Sequence, residues 1–382
     1  MPAQHVAKSI KEGEVYWTEF DFLESFMQDA FQRIGVPEED AKTCADILIQ
    51  ADKRGVDSHG VGRFKTIYYD RIVHQKIQQA VTEFEIVKDF AATAVVDGHH
   101  GMGMPISKRC MQMAIDKARQ YGVGVVVTRN STHYGYAAAY PLMAVEQGMI
   151  GLTATNARPS IPPTHGVENM LGTNPMCFGF PTDDGIPFTN DYATSIIQRG
   201  RIEKYARDGV AVPPGLVIGP DGSYLTDPAD ILKKLVSGEA ACCPIGGSGE
   251  ETGGYKGYGF ATVVEVLSAS LQQGAFLKAL TNLDTEGNLK PYALGHFFMA
   301  IDISKFCDVE LFKKTTGDIM RELRNSKKAP GADRIYTCGE KEIDATHERE
   351  GKGAPIGRVL QQQLSEVKKD LGMDDYVFPW EE

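Results

Sequence analysis

The sequence predicts a mixed α/β protein, and three observations support this fold class. The chain has 382 residues, which corresponds to about two domains at roughly 150 residues per domain. Apolar residues follow helical spacing in the N-terminal region, whereas from about residue 82 short apolar runs alternate with helical segments. Helical spacing returns near the C-terminus. Such alternation indicates an α/β layer architecture, although it does not give the direction of the strands.

The N-terminal region predicts three helices separated by one polar loop. Thr18 and Asp21 form a T-x-x-D capping signal ahead of the first apolar stripe. Pro37 opens a second helix, since proline is favoured at the first helical position. The glycine-rich segment 54–64 then interrupts the pattern before a third helix over 67–72.

The middle and C-terminal regions predict alternating strands and helices. Buried strands are expected at Phe84–Val87, Thr93–Val96, Val123–Thr128 and Ile150–Thr155. Helices are expected at Ile106–Gln120 and Ala137–Glu146, after the glycine-rich segment 246–259, and at 315–328 and 356–370. Residues 212–230 are rich in proline, glycine and aspartate and predict loops.

Composition and charge exclude several classes of protein. The content of 42% hydrophobic and 24% charged residues is typical of globular proteins and argues against a disordered or fibrous chain. The net charge of -11 argues against a nucleic-acid or anionic-membrane partner, because the field of the protein repels both. The N-terminus has no apolar signal segment, and seven cysteines without a C-x-x-C pair favour a reducing cytoplasm over a disulfide framework.

Four polar segments that contain glycine are candidates for a ligand site, because glycine lets the backbone approach a ligand closely. They contain Ser58, His59 and Arg63; Ser131, His133 and Tyr136; the stretch Thr155–Ser195; and Lys256. An isolated loop histidine is more often a surface or capping residue, yet its ordinary pKa near neutrality suits acid–base catalysis. An arginine is either an ordinary ion-pairing residue or a bidentate grip on a carboxylate.

The known motifs for phosphate and metal binding are incomplete. GEETGGYKG lacks the Gly-Lys-Ser/Thr of a Walker A loop, because Tyr255 separates Gly254 from Lys256. GHHGMGMPIS lacks the third glycine of the Rossmann fingerprint. His99 and His100 have no second ligand pair at metal spacing, so no metal site is expected. Lys256 is near the N-terminus of a predicted helix. It either pairs with a pyrophosphate there or is an ordinary surface lysine.

Five ordered segments together resemble the malate/L-lactate dehydrogenase family of NAD(P)-dependent 2-oxoacid reductases, which also includes ureidoglycolate, sulfolactate and diketogulonate enzymes. They read SHGVGR, SxHxG, GTNP, DYATS and GYKGYG, and the resemblance runs from about residue 18 to residue 360. It implies a non-Rossmann dinucleotide-binding α/β domain at 77–304. It also implies a helical domain built from 1–76 and 305–382, and a homodimer with the cofactor near the interface.

The resemblance implies a role for each matched residue. His59 and His133 are the two candidates for the acid or base that exchanges the hydroxyl proton, and His133 is slightly preferred. Arg63 would hold the substrate carboxylate, and Ser58 stands beside His59. The cofactor would be lined by Asn156, Ala157, Asp191, Tyr192, Ala193, Thr194, Lys256, Gly257, Gly339 and Glu340.

The implied activity transfers a hydride between the nicotinamide of NAD, or alternatively NADP, and a small 2-hydroxy or 2-oxo acid. Malate with oxaloacetate is the first substrate pair expected, followed by ureidoglycolate and lactate, and no metal is required. Tyr192 stands where many relatives have methionine, and Cys338 stands where proline is common. These two differences leave the preference between NAD and NADP open. The alternatives are a non-catalytic dimeric ligand-binding relative and a nucleotide phosphohydrolase, which the broken Walker motif disfavours.

Overall fold

The computed structural model describes residues 5–381 and confirms a mixed α/β fold. The helices are α1 (Phe20–Arg33), α2 (Glu38–Lys53), α3 (Asp70–Val73), α4 (Gly103–Tyr121), α5 (Ala139–Val145), α6 (Arg199–Asp208), α7 (Pro228–Ser237), α8 (Gly254–Ala269), α9 (Val309–Arg324), α10 (Glu340–Arg349) and α11 (Arg358–Asp370). The strands are β1 (His5–Val6), β2 (Ser9–Glu12), β3 (Val15–Thr18), β4 (Glu85–Phe90), β5 (Thr93–Asp97), β6 (Val123–Ser131), β7 (Met149–Thr155), β8 (Met176–Phe180), β9 (Phe188–Tyr192), β10 (Val217–Ile218), β11 (Ala241–Cys242), β12 (Leu294–Asp302), β13 (Ala354–Ile356) and β14 (Tyr376–Val377). A 3₁₀ turn (Val61–Arg63) and a π-helical turn (Phe64–Tyr69) lead directly into α3.

A seven-stranded mixed sheet in the order β4-β5-β6-β12-β7-β8-β9 forms the centre of the fold. β5 and β6 run parallel, and all other neighbours are antiparallel. Alternate residues of one strand face opposite layers. Val126 and Phe298 therefore pack into the core that contains α4 and α5, whereas Val127 and Phe297 pack with Val264 of α8.

The sheet topology brings three strand ends together. β6 and β7 are both antiparallel to β12, and β9 is parallel to β7 because β8 separates them. The C-terminal ends of β6, β7 and β9 therefore lie at one edge of the sheet. The segments that follow these ends begin with Thr132, Asn156 and Ala193.

Both chain ends contribute to a small sheet that the sequence analysis missed. β3 pairs with β2 on one side and with β13 on the other. Thr18 belongs to β3, and its hydroxyl donates to the carbonyl of Tyr16, 3.4 Å away. The predicted capping role of Thr18 is therefore wrong, because Glu19 occupies the N-cap position of α1 without a side-chain hydrogen bond.

The glycine-rich segment before α8 is partly helical. α8 begins at Gly254, so GYKGYG forms its first turns rather than a loop. Gly257 is required for close packing, because a Cβ atom there would lie 2.2 Å from the carbonyl oxygen of Ile245. The region predicted as loops contains β10 and the start of α7, and Ile202, Val217 and Ile231 form a separate small core there.

The main core joins the chain ends to the central region. Phe26 of α1, Phe378 near the C-terminus and Met111 of α4 belong to one buried cluster. The division into 1–76 with 305–382 and 77–304 stays a prediction. Across residues 5–381, no helix combines the length and apolar character needed to cross a membrane.

Candidate active site

A cleft opens at the edge of the central sheet where β6, β7 and β9 end. The volume of this cleft is about 240 Å³. The loop after α2 and Glu342 of α10 close it from the other side. Eight of the residues predicted for the site line it: Ser58, His59, His133, Asn156, Ala157, Asp191, Tyr192 and Ala193.

Two histidine rings stack across this cleft. The centres of the His59 and His133 rings are 5.8 Å apart, and the rings are inclined by 15°. Nδ1 of His59 shares a hydrogen bond of 2.8 Å with the hydroxyl of Ser58. Nδ1 of His133 lies 2.7 Å from the hydroxyl of Tyr68 and accepts the N–H of Gly135 at 3.3 Å. Neither Nε2 atom has a hydrogen-bond partner among residues 5–381.

The contacts of each ring determine what it does with a proton. A backbone N–H can only donate, so Nδ1 of His133 acts as an acceptor and the hydrogen of the neutral ring sits on Nε2. The hydroxyl of Ser58 both donates and accepts, so His59 keeps its hydrogen bond whether it is neutral or charged. His59 is therefore better suited to gain and lose a proton.

Burial and neighbouring charge keep both histidines neutral in the ligand-free protein. Burial, with the charge of Arg63, lowers the pKa of His59 to about 4. The pKa of His133 is also well below its usual value because of burial, His59 and Arg71. A neutral imidazole is the form that accepts the hydroxyl proton when a 2-hydroxy acid is oxidised.

Asp191 places a carboxyl group on the far wall of the cleft. One of its oxygens accepts the N–H of Ala138 at 3.1 Å. Desolvation in the cleft raises the pKa of Asp191, the Ala138 N–H opposes this rise, and the nearby carboxylate of Glu342 adds to it. Asp191 is exposed to the cleft, where its other oxygen is available to a ligand.

Six predicted site residues do not line the cleft: Arg63, Thr194, Lys256, Gly257, Gly339 and Glu340. Arg63 lies beside it, where its Nε donates to the carbonyl of Ser58 at 2.5 Å. Thr194 is buried, and its hydroxyl donates to the carbonyl of Thr173 at 2.9 Å. Lys256 is exposed in the first turn of α8. The predicted cofactor contacts of these residues stay proposals.

Glu340 fixes the start of α10. Its carboxylate pairs with Arg334 at 2.6 Å and accepts the N–H of Thr337 at 2.5 Å. Burial alone would raise the pKa of Glu340, but the Thr337 N–H and Arg334 outweigh it and lower the pKa. Gly339 precedes it with a φ of 96°, a left-handed conformation that favours glycine. Glu342, two residues later, is the one that reaches the cleft.

A third histidine, His296 of β12, lies buried between β6 and β7. Its Nδ1 is 2.7 Å from the hydroxyl of Thr155, and its Nε2 is 2.7 Å from the hydroxyl of Ser131. The ring stacks on Tyr134 at a centre distance of 4.7 Å. Burial lowers its pKa to about 3, so it stays neutral. His296 thereby ties together the two strand ends that carry His133 and the 155–157 wall.

Five residues of this region do not belong to the sequence motifs that predicted the site: Arg54, Tyr68, Arg71, His296 and Glu342. The spacing of Tyr68 and Arg71 is a signal that was available, since three residues separate neighbours on one helix face, and both follow the DSHGVGR segment. His296 gives no such signal, because it lies in an apolar strand far along the chain.

Comparisons with known proteins identify the family of this chain. Residues 18–365 match the family model described as malate/L-lactate dehydrogenase. The malate dehydrogenase of Pyrococcus horikoshii is 40% identical over 93% of this chain and 95% of the relative. The L-sulfolactate dehydrogenase of Methanocaldococcus jannaschii is 37% identical over 91% of this chain and 96% of the relative.

Solved structures lead to the same family. The crystal structure of malate dehydrogenase from Entamoeba histolytica superposes with a TM-score of 0.89 at 39% identity, covering 96% of this chain and 98% of the other. The family model and these relatives confirm the predicted dehydrogenase class. The chain belongs to the malate/L-lactate dehydrogenase family.

Proposed function

We propose that the cleft interconverts a small 2-hydroxy acid and its 2-oxo acid with NAD as the cofactor, and that malate and oxaloacetate are the substrates. The observation that carries the proposal is the stacked pair His59 and His133, each of which has a free Nε2 at the cleft. The relatives named malate dehydrogenase support the choice of malate. Ureidoglycolate and lactate remain the alternative substrates.

The chemistry of the cleft wall suits the nicotinamide end of the cofactor. Its wall combines flat apolar surfaces from Ala157 and Pro175 with the polar groups of Thr173 and Asp191. Ser195, two residues beyond the cleft-lining Ala193, has a buried hydroxyl without a hydrogen-bond partner in the described chain, which suits a polar ligand. When bound there, the nicotinamide supplies the acceptor or donor of the hydride.

NAD is the cofactor that we propose, and NADP is the alternative. Asp191 and Glu342 line the cleft beside the histidine pair, at the nicotinamide end of the cofactor. Lys256 is exposed in the first turn of α8, where it suits a pyrophosphate. Paired assays with NADH and NADPH test this preference.

The two histidines have different roles in the transfer of the hydroxyl proton. His59 takes the hydroxyl proton during oxidation and returns it during reduction, because its serine partner tolerates both states of the ring. His133 donates a hydrogen bond from Nε2 to the substrate oxygen, and the hydroxyl of Tyr68 holds its orientation. This proposal reverses the order of preference that the sequence analysis gave.

Arg63 binds the carboxylate beside the reacting carbon. The bond from its Nε to the Ser58 carbonyl orients the guanidinium, and its two terminal nitrogens have no partner within residues 5–381. A planar fork with two free nitrogens matches a carboxylate through two parallel hydrogen bonds. Ser58 thus connects the arginine to His59.

The partner that we propose is a second copy of the chain. α8 exposes Tyr255, Phe260, Val263 and Val266, each close to half of its surface, and such an apolar helix face is typical of a subunit interface. A homodimer is expected to elute at twice the 41.8 kDa of one chain in light-scattering chromatography. All seven cysteines are unpaired, which supports the proposed location in the cytoplasm.

The test follows nicotinamide absorbance with oxaloacetate, pyruvate, sulfopyruvate and diketogulonate, and with ureidoglycolate plus NAD in the oxidative direction. Oxaloacetate with NADH is expected to give the largest kcat/KM. A different preferred acid would contradict the choice of malate while keeping the reaction class. Cofactor binding without turnover of any acid would favour a substrate outside this panel. A protein that binds no cofactor would be the non-catalytic relative.

A further inference from the structure

Arg71 of α3 is a half-buried arginine without an anionic partner. Its guanidinium carbon lies 4.3 Å from the centre of the Tyr292 ring. No hydrogen bond or ion pair joins its guanidinium to any atom of residues 5–381. Burial, together with the charges of Arg158 and Arg63, lowers its pKa. The phenols of Tyr292 and Tyr68 act in the opposite direction, but the pKa is lowered overall.

The partly buried Arg324 has a carboxylate partner, Asp184, and so does the exposed Arg109. Arg109 contacts an aromatic ring as Arg71 does, that of Phe84 at 5.7 Å, but it also pairs with Asp40 at 2.6 Å. A guanidinium without a counter-ion is costly to desolvate, so pairing is the usual arrangement. Arg63, Arg71 and Arg158 have no acidic partner in the described part of the chain, and they form one positive cluster in a protein of net charge -11.

The position of this cluster connects it with the cleft. Arg71 lies three residues after Tyr68, whose hydroxyl contacts His133, and three residues bring two side chains to one helix face. The charges of Arg71 and Arg63 both act on the ring of His133. Tyr292 lies two residues before the cleft-lining Leu294.

We propose that Arg71 is the binding site for a second anionic group, a carboxylate or a sulfonate, at the far end of a 2-oxo acid whose first carboxylate binds Arg63. The inference rests on the proposed function and adds the part of the substrate that it selects. The ring of Tyr292 covers the face of the guanidinium and leaves its edge, with the N–H groups, for the anion. An acid with one anionic group leaves the cation unpaired.

The test compares oxaloacetate with 2-oxobutyrate, which has the same carbon chain length but no distal carboxylate. The wild-type kcat/KM is expected to be about a hundredfold higher for oxaloacetate, the size of one charge-assisted contact. Arg71→Gln is expected to remove about a hundredfold of the kcat/KM for oxaloacetate and to change that for 2-oxobutyrate less than threefold. Arg71→Lys, which keeps the charge but not the fork, should recover part of the loss.

Arg109→Gln is the matched control, because it also removes an arginine that contacts an aromatic ring, and its ratio of the two substrates should equal that of the wild type. An equal loss on both substrates in Arg71→Gln, or a wild type that does not distinguish them, would overturn the inference while the proposed function stands. No reduction of any 2-oxo acid by the wild type would instead overturn the proposed function. If Arg71→Gln does not fold, the ratio of kcat/KM for oxaloacetate to that for 2-oxobutyrate in Arg71→Lys tests the inference instead: a ratio equal to that of the wild type would overturn it.

Discussion

His296 is fully buried and His59 lines the cleft, and desolvation lowers the pKa of each, yet their ring nitrogens have different partners. Both ring nitrogens of His296 are bonded to hydroxyls, those of Thr155 and Ser131. His59 has one bonded nitrogen, and its other nitrogen is free at the cleft. A lowered pKa therefore does not identify a catalytic histidine here. The free nitrogen at a cavity distinguishes them.

The largest expected effect is that of His59→Gln. Glutamine keeps a polar side chain but cannot exchange the proton, so kcat should fall by about 10³-fold, within the range for loss of acid–base catalysis. Steady-state rates in both directions measure this effect. The Kd of NADH, followed by fluorescence titration, should change less than threefold. A kcat within tenfold of the wild type would contradict this role of His59 and would indicate that His133 exchanges the proton.

His133→Ala is expected to have the next largest effect. It removes the hydrogen bond to the substrate oxygen but leaves the proton carrier in place, so kcat should fall by about 10²-fold. Cofactor binding should remain measurable. A larger loss than in His59→Gln would show that the order preferred from the sequence was right.

His296→Gln should affect stability more than catalysis. It leaves the hydroxyl of Ser131 without its side-chain partner, which should lower the free energy of unfolding by about 2 kcal/mol in urea titrations. The kcat is expected to fall by no more than tenfold, because His296 does not line the cleft. The control is His165→Gln, an exposed histidine whose loss should change neither quantity. A loss of kcat as large as that of His59→Gln, in a protein that remains folded, would break the distinction.

The sequence predicted the two cleft histidines because local motifs identify them: each follows a serine closely and is flanked by glycine. It also predicted the strands β5, β6 and β7 from their apolar runs. It did not predict that β12 inserts between β6 and β7, because strand order depends on pairings across more than a hundred residues.

The incorrect and missing predictions have local physical causes. The capping signal at Thr18 was overridden when that residue paired in a sheet with β13, which lies far along the chain. Lys256 and Gly257 belong to a motif that resembles a ligand loop, but they form the first turns of a helix. Arg71 was not predicted as a site residue, because its lack of an anionic partner depends on all of the residues around it in the folded chain.

The most direct test of the central claim is the pH dependence of kcat/KM for malate oxidation at saturating NAD. A depressed pKa means that His59 gains its proton only well below pH 6.5, so the neutral, active form persists as the pH falls. We predict that kcat/KM changes less than twofold between pH 8 and pH 5.5 in the Asp191→Asn variant, which removes the carboxyl group of the cleft whose pKa is raised toward this range. A histidine of ordinary pKa, about 6.5, would lose roughly tenfold by pH 5.5, and a break near that value would contradict the account.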